Sequence, residues 1–137
     1  MTTVTALLHD KSGQTVRTLP PDTSVLEAIR LMAEHHIGSV LVTEAGRPLG
    51  IVTERDYARK VILMGRSSAD TRLSDVMSSP VLSVASSDSI EHCMQMMTDH
   101  KIRHLPVLDG GNLAGMVSIG DLLKALLELR QREIEQL

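Results

Sequence analysis

Aromatic side chains are almost missing from this 137-residue chain: Tyr57 stands alone, with no Phe and no Trp. Recognition of single-stranded nucleic acid by stacking bases on aromatic platforms therefore has nothing to work with. Cysteine is nearly missing too. Cys93 alone excludes an internal disulfide and any zinc site built from several cysteines. The longest uninterrupted apolar run, Val61 to Met64, is four residues, against the roughly 20 that a membrane-spanning helix needs. An excess of positive charge is also lacking. Fourteen Lys and Arg against 17 Asp and Glu leave a net charge of −3, so no global basic field draws nucleic acid or an acidic membrane. Residues 1–10 have neither the basic start nor the apolar stretch of a secretory signal, and a soluble cytoplasmic protein is the expectation. What is present is ordinary for a chain that buries a core, with 42% hydrophobic and 23% charged residues. The length suits one compact unit or two very small ones.

An internal repeat organises the chain. With an offset of 65 residues, positions 16–57 fall on 81–122 without a gap, and ten of the 42 pairs are identical. Chance matching gives roughly three. The identities are Val16/Val81, Ser24/Ser89, Met32/Met97, His35/His100, Ile37/Ile102, Val42/Val107, Gly46/Gly111, Gly50/Gly115, Val52/Val117 and Asp56/Asp121. Where letters differ the pattern still matches. Val25, Ala28, Ile29 and Met32 fall on Ile90, Cys93, Met94 and Met97, the same i, i+3, i+4, i+7 stripe of a helix.

Each copy reads as β-α-β-β-α. A short extended piece (16–19, 81–84) leads through a polar break to an amphipathic helix (24–36, 89–101). Ser24 and Glu27 have capping-box spacing. Gly38 is the expected helix stop in the first copy, where the second has Arg103. Two apolar strands follow, 40–43 with 49–53 and 105–108 with 113–118, joined by turn-rich segments, before a second helix near Asp56 or Asp121. Residues 4–8 and 73–77 read as helical turns entering the first and second copies. The expected division is 3–65 for the first repeat with its lead-in, a polar connection over 66–72, the second repeat over 73–130, and a helical extension over 131–137. One such unit has a sheet face to hide and is marginal by size. The expected fold is therefore α/β in the broad sense (α+β), two pseudo-symmetric repeats packed sheet to sheet.

Strand two of each copy ends in a hydroxyl residue followed three positions later by aspartate: Gly50-Ile51-Val52-Thr53-Glu54-Arg55-Asp56 and Gly115-Met116-Val117-Ser118-Ile119-Gly120-Asp121. Such a pair can be a helix cap and nothing more. The same geometry offers N–H groups and a hydroxyl to a phosphate, and a carboxylate that accepts two hydrogen bonds from a ribose diol. Arg55, Arg59, Lys60 and Arg66 follow the first motif; a solvated helix face and contact with a polyphosphate or dinucleotide both fit them. The six histidines suggest structural or solvent roles rather than a metal site, and Cys93 falls on the core stripe as a buried thiol. Leu123, Leu127, Ile134 and Leu137 run near heptad spacing, too few for an independent coiled coil. They either extend a dimer interface or cover the core.

The doubled β-α-β-β-α unit, the two Gly-h-h-Thr/Ser-x-x-Asp segments (h, apolar) and Arg103-His104-Leu105-Pro106-Val107 resemble tandem cystathionine-β-synthase (CBS) domains, a pair of which is a Bateman module. The resemblance covers about residues 3 to 130 and implies a stand-alone regulatory module of bacterial type. It implies ligand clefts between the repeats, occupied in the family by AMP, ADP, ATP, NAD(H) or S-adenosylmethionine, with AMP the leading expectation here and no metal required. Carried over, Asp56 and Asp121 would hold ribose hydroxyls, and Thr53 and Ser118 would meet ribose or phosphate. Ile37-Gly38-Ser39 and Ile102-Arg103-His104 would frame adenine or face phosphate. Ile51 and Met116 would supply apolar walls, as would the strand starts Val16 and Val81, and Arg17 beside Val16 is counted among the ligand-binding residues. Arg55 would add a phosphate contact on one side only.

The expected function is a sensor of adenine nucleotides that signals by a change of shape or assembly. Its expected partners are the nucleotide, a second copy in a homodimer and an unidentified regulated protein, with no nucleic acid and no membrane. No nucleophile–base pair or P-loop suggests an enzyme. The rivals are a ligand-free dimerisation or interaction scaffold, and an enzyme using Asp56 or Asp121 with His104 assisting.

Overall fold

In a computed structural model the described residues are 3–10 and 16–137, the side chain of Asp10 excepted. They divide into two compact units. One is the continuous segment Val16–Leu82; the other joins Met1–Thr15 to Ser83–Leu137.

In the Val16–Leu82 unit a short strand β1 (Thr18–Leu19) is followed by helix α2 (Val25–His35), after the N-terminal helix α1 (Val4–Asp10) of the other unit. Strands β2 (Ser39–Glu44) and β3 (Arg47–Thr53) then form an antiparallel hairpin, with β1 parallel to β2. One helical turn, α3 (Glu54–Asp56), runs into a π-helix (Tyr57–Ile62), and α4 (Leu73–Val76) closes the unit. The other unit repeats this plan with α5 (Ile90–His100), the hairpin β4 (His104–Asp109) and β5 (Asn112–Ser118), and α6 (Ile119–Glu135). Both units are mixed α+β with a small sheet against helices.

The helical stripes read from the sequence are the cores. Val25, Ala28 and Met32 of α2 are buried with Val40, Val42 and Val52 of the hairpin. Ile90, Cys93 and Met97 of α5 are buried with Leu105, Val107 and Val117. Ser24 and Ser89 cap these helices by accepting from the amides of Glu27 (3.2 Å) and His92 (3.1 Å). The helix stop expected at Gly38 lies two residues earlier, and it is shared. His36 (φ 54°) and Lys101 (φ 55°) take the left-handed conformation. The next amides, Ile37 and Ile102, donate back to Met32 and Met97 O at 3.0 Å, which closes each helix as a glycine-free Schellman turn. Both hairpins turn on two left-handed residues, Ala45–Gly46 and Gly110–Gly111, as a type I′ turn requires.

The second copy departs from expectation at its first strand. Residues 81–84 form only an isolated parallel bridge, Val84 to Val107. Upstream, Ser78 still exchanges two backbone hydrogen bonds with Ile51 of β3 and Ser79 Oγ donates to Leu49 O at 2.8 Å, so few residues remain to pair with β4.

The lead-in helices are exchanged between repeats. Residues 4–8, grouped by sequence with the first repeat, dock on the second; α4, which precedes the second repeat, docks on the first. The docking is equivalent in detail. Val4 and Thr5 N donate to Asp88 and Ser86 O at 2.9 Å each; Leu73 and Ser74 N donate to Thr23 and Pro21 O at 2.9 and 3.0 Å. The first amides of each short helix thus find partners outside it. Behind them, Leu8 lies over Gly115 and Met77 over Gly50, so close that a Cβ on either glycine would meet the covering side chain at under 3 Å.

Candidate functional site

Each hairpin runs from its second strand straight into a helix, and the two junctions are built alike. Thr53 is extended (φ −117°) and caps α3; Ser118 is extended (φ −104°) and caps α6. The amides of Asp56 and Asp121 donate to the Thr53 and Ser118 hydroxyls at 3.1 Å each. In return, the amides of Thr53 and Ser118 donate to Oδ2 of Asp56 at 3.0 Å and of Asp121 at 2.8 Å. Both corners are therefore complete capping boxes. Thr53 Oγ1 also donates to Asp56 Oδ2 at 3.2 Å.

A third shared bond fastens each corner to the loop before the hairpin. Glu54 N donates to Gly38 O at 3.2 Å and Ile119 N donates to Arg103 O at 2.9 Å. At each helix start at least three of the first four amides are thus engaged within the fold, as the cap reading of the motif requires. Across the strands, Ser39 stands opposite Thr53, and His104 opposite Ser118.

The structure gathers Gly38, Ser39, Thr53 and Asp56 at one corner and Arg103, His104, Ser118 and Asp121 at the other. Ser39 is buried; Thr53, Asp56, His104, Ser118 and Asp121 are half-buried, and Arg103 is exposed. Ile37, Ile51, Ile102 and Met116 are half-buried beside them in sequence, and Arg55 is exposed on α3. Val16 is half-buried, whereas Arg17 points outward and contributes its carbonyl, which accepts from Leu41 N at 3.3 Å. Val81 belongs to the Val16–Leu82 unit, not to the unit that holds the other second-copy residues.

One contact at the first corner escaped the sequence reading, which counted Lys60 only within a basic cluster. Lys60 Nζ stands 3.2 Å from Asp56 Oδ1 and donates to Val76 O at 2.9 Å. The i,i+4 spacing of Asp56 and Lys60 was the available signal. The second copy has Ala125 at the equivalent place. Among the described residues no group of three or more His, Cys, Asp or Glu is placed to hold a metal ion, and no helix is long and apolar enough to cross a membrane.

The sequence profile of the CBS domain matches the chain twice, over residues 14–63 and 73–128. The chain belongs to the CBS-domain family. A solved relative, a candidate signal-transduction protein with CBS domains from Burkholderia ambifaria MC40-6, is 50% identical and superposes with a TM-score of 0.89 over 93% of this chain and 95% of its own. The mitochondrial CBS-domain protein CBSX3 of Arabidopsis thaliana is 38% identical over 121 residues, 85% of this chain. This chain spans 59% of that curated relative's length. The CBS domain pair of protein MJ0100, solved with 5-methylthioadenosine and S-adenosyl-L-methionine, is 20% identical and shares the fold with a TM-score of 0.81 over 92% of this chain and 96% of its own.

Proposed function

We propose that this CBS pair is a regulatory module that binds an adenine nucleotide at the Thr53–Asp56 and Ser118–Asp121 corners and reports occupancy by a change of shape or assembly. The observation that carries the reading is the duplication of one corner, hydroxyl cap, carboxylate and loop carbonyl included, in two units whose surrounding residues differ. A capping box alone is met by several residue pairs; both copies keep aspartate, the acceptor suited to a cis-diol. Ile51 and Met116 are offered as apolar walls, Ile37-Gly38-Ser39 and Ile102-Arg103-His104 as the adenine-facing loops, and Val16 and Val81 as flanking contacts. Arg55, replaced by Gly120 in the second copy, would meet a phosphate at the first site only, so the two affinities differ. AMP is the favoured ligand, with ADP, ATP and NAD(H) as alternatives. The MJ0100 pair gives the precedent that an adenosine-bearing molecule occupies this fold; the class of ligand here is our reading.

The module is proposed to act as a homodimer and to bind its ligand without turning it over. Leu63 and Met64 after the π-helix and Leu127 on α6 are each about 70% exposed or more, and a second copy would cover them. Light scattering should then give about 30 kDa, twice the 15.0 kDa chain; a mass near that of one chain at tens of micromolar refutes the dimer.

Ligand-free protein should melt at a higher temperature with AMP, ADP, ATP or NAD(H), and less so with GMP or CMP. Binding to the folded state alone stabilises by about 2.7 kcal/mol per site at 100 times Kd. Recovery of the nucleotide intact after incubation is expected. No shift with any adenine ligand at millimolar concentration leaves an interaction scaffold as the better account, and hydrolysis of the nucleotide would make the module an enzyme.

A further inference from the structure

Lys60 joins a proposed ligand carboxylate to a different segment of the fold. Its ammonium bridges Asp56 Oδ1 at 3.2 Å and Val76 O at 2.9 Å. Val76 ends α4, and its carbonyl lies in the last turn, where no further helix supplies a partner. Immediately beyond, Met77 covers Gly50, and Ser78 exchanges hydrogen bonds with Ile51 (Ile51 N to Ser78 O 3.1 Å, Ser78 N to Ile51 O 2.9 Å). Four residues later the chain leaves the unit, at Leu82.

We propose that Lys60 is a positioning residue that ties the first carboxylate to the segment from α4 to Ser78, so that a ribose diol taking Asp56 must loosen that segment. The inference rests on the reading of Asp56 as a ribose ligand. A carboxylate has about four lone-pair positions. Oδ2 already accepts the amide and the hydroxyl of Thr53, and Oδ1 accepts Lys60. A diol brings two O–H donors to the single position left, so one donor gains full access only when Lys60 withdraws. Withdrawal removes a partner of Val76 O and relaxes the stretch that carries the chain toward the second unit. Because coupling is reciprocal, a segment held firmly on the first unit weakens ligand at the first site. Ala125 takes the lysine's place in the second copy, so the lysine bridge belongs to the first corner.

The test compares Lys60→Met and Lys60→Arg, both in an Asp121→Asn background so that the first site alone reports. Adenosine is the main probe because it lacks phosphate and is indifferent to a lost cation except through Asp56. Lys60→Met should tighten adenosine about two- to fivefold, the range of a partly exposed ion pair. In ligand-free protein it should also speed amide exchange at Met77 and Ser78 by a similar factor. Lys60→Arg, which keeps the charge and the donors, should stay close to the parent in both measurements. Unchanged or weakened adenosine binding in Lys60→Met overturns the proposal, as does unchanged exchange at Met77 and Ser78. Weakened AMP with unchanged adenosine overturns it in favour of a direct phosphate contact. If the parent binds neither adenosine nor AMP, the nucleotide reading fails and the coupling fails with it, while the exchange data still show whether Lys60 holds the segment.

Discussion

Replacing Gly50 or Gly115 by Ala tests how the exchanged lead-in segments are held, because both glycines sit under them at equivalent strand positions. A methyl group on Gly50 would stand 2.7 Å from Met77 Sδ, 2.8 Å from Met77 Cγ and 2.9 Å from Ser78 O. The sulfur can swing aside; the carbonyl cannot, since Ser78 is bonded in both directions to Ile51. On Gly115 the methyl would stand 2.6 Å from Leu8 Cδ2 and 3.2 Å from Cδ1, with only side-chain atoms near. Leu8 is half-buried, so its end can turn away. Overpacking costs about 1–3 kcal/mol, and removing a glycine from the unfolded chain returns about 0.4–1 kcal/mol. Gly50→Ala should therefore lose about 2 kcal/mol net, and Gly115→Ala between about zero and 1 kcal/mol. At about 3–4 °C per kcal/mol for this length, the two variants should melt several degrees apart. Urea denaturation of both, with Gly50→Ala repeated in a Met77→Ala background, is the assay. The added change should recover only part of the loss, because Ser78 O remains in place. Equal stability of the two variants, or complete rescue by Met77→Ala, would refute this account of the docking.

Three further outcomes follow from particular contacts. Burial, reinforced by Asp88, pushes the Cys93 thiol up to about 11, so it should resist iodoacetamide at pH 8 until the protein unfolds. Because the folded thiol holds its proton longer than the unfolded one, its contribution to stability is full below about pH 9 and is lost as pH rises toward 11; Cys93→Val should flatten that part of the curve. The Ser86 amide, and after it the Ser86 side chain, hold the Asp109 carboxyl below its ordinary value. That contribution is present above the unfolded value and lost as pH falls through the folded one, so Asp109→Asn should reduce the acid slope of stability. Thr53→Val and Ser118→Ala each remove a cap hydroxyl and should each cost about 1 kcal/mol in ligand-free denaturation, whereas a change below about 0.3 kcal/mol would mean that the boxes do not anchor these helices.

Most of the secondary structure was legible because the 65-residue offset repeats chemistry as well as letters. The stripe shared by Val25/Ile90, Ala28/Cys93 and Met32/Met97 located both helices and their buried faces, and the hydroxyl–x–x–Asp spacing located both corners. Helix ends were less legible. Gly38 drew attention as the residue easiest to place in a left-handed turn, yet His36 and Lys101 adopt that turn (φ 54° and 55°), because the back-bonds of Ile37 and Ile102 compensate for the strain. The exchange of lead-ins was invisible to a reading that groups neighbours in sequence. Its trace was the identity of Gly50 and Gly115, each of which leaves room for a segment that sequence order assigns to the other repeat. The π-helix and the Lys60 bridge were missed for a related reason: an i,i+4 pair is ordinary on any helix, and only three-dimensional packing brings Val76 O beneath it.

Titration calorimetry with AMP on four proteins, the parent, Asp56→Asn, Asp121→Asn and the double variant, addresses the ribose assignment most directly. Asparagine keeps one oxygen to accept the Thr53 or Ser118 amide and so can still close the capping box, but it loses the charge and the two-oxygen acceptor. All four proteins should fold. Each single change should weaken one site by about 2 kcal/mol, roughly thirtyfold, and leave the other untouched, and the double variant should bind at neither. Parent-like affinity in the double variant would contradict the account, leaving Asp56 and Asp121 as capping-box acceptors alone.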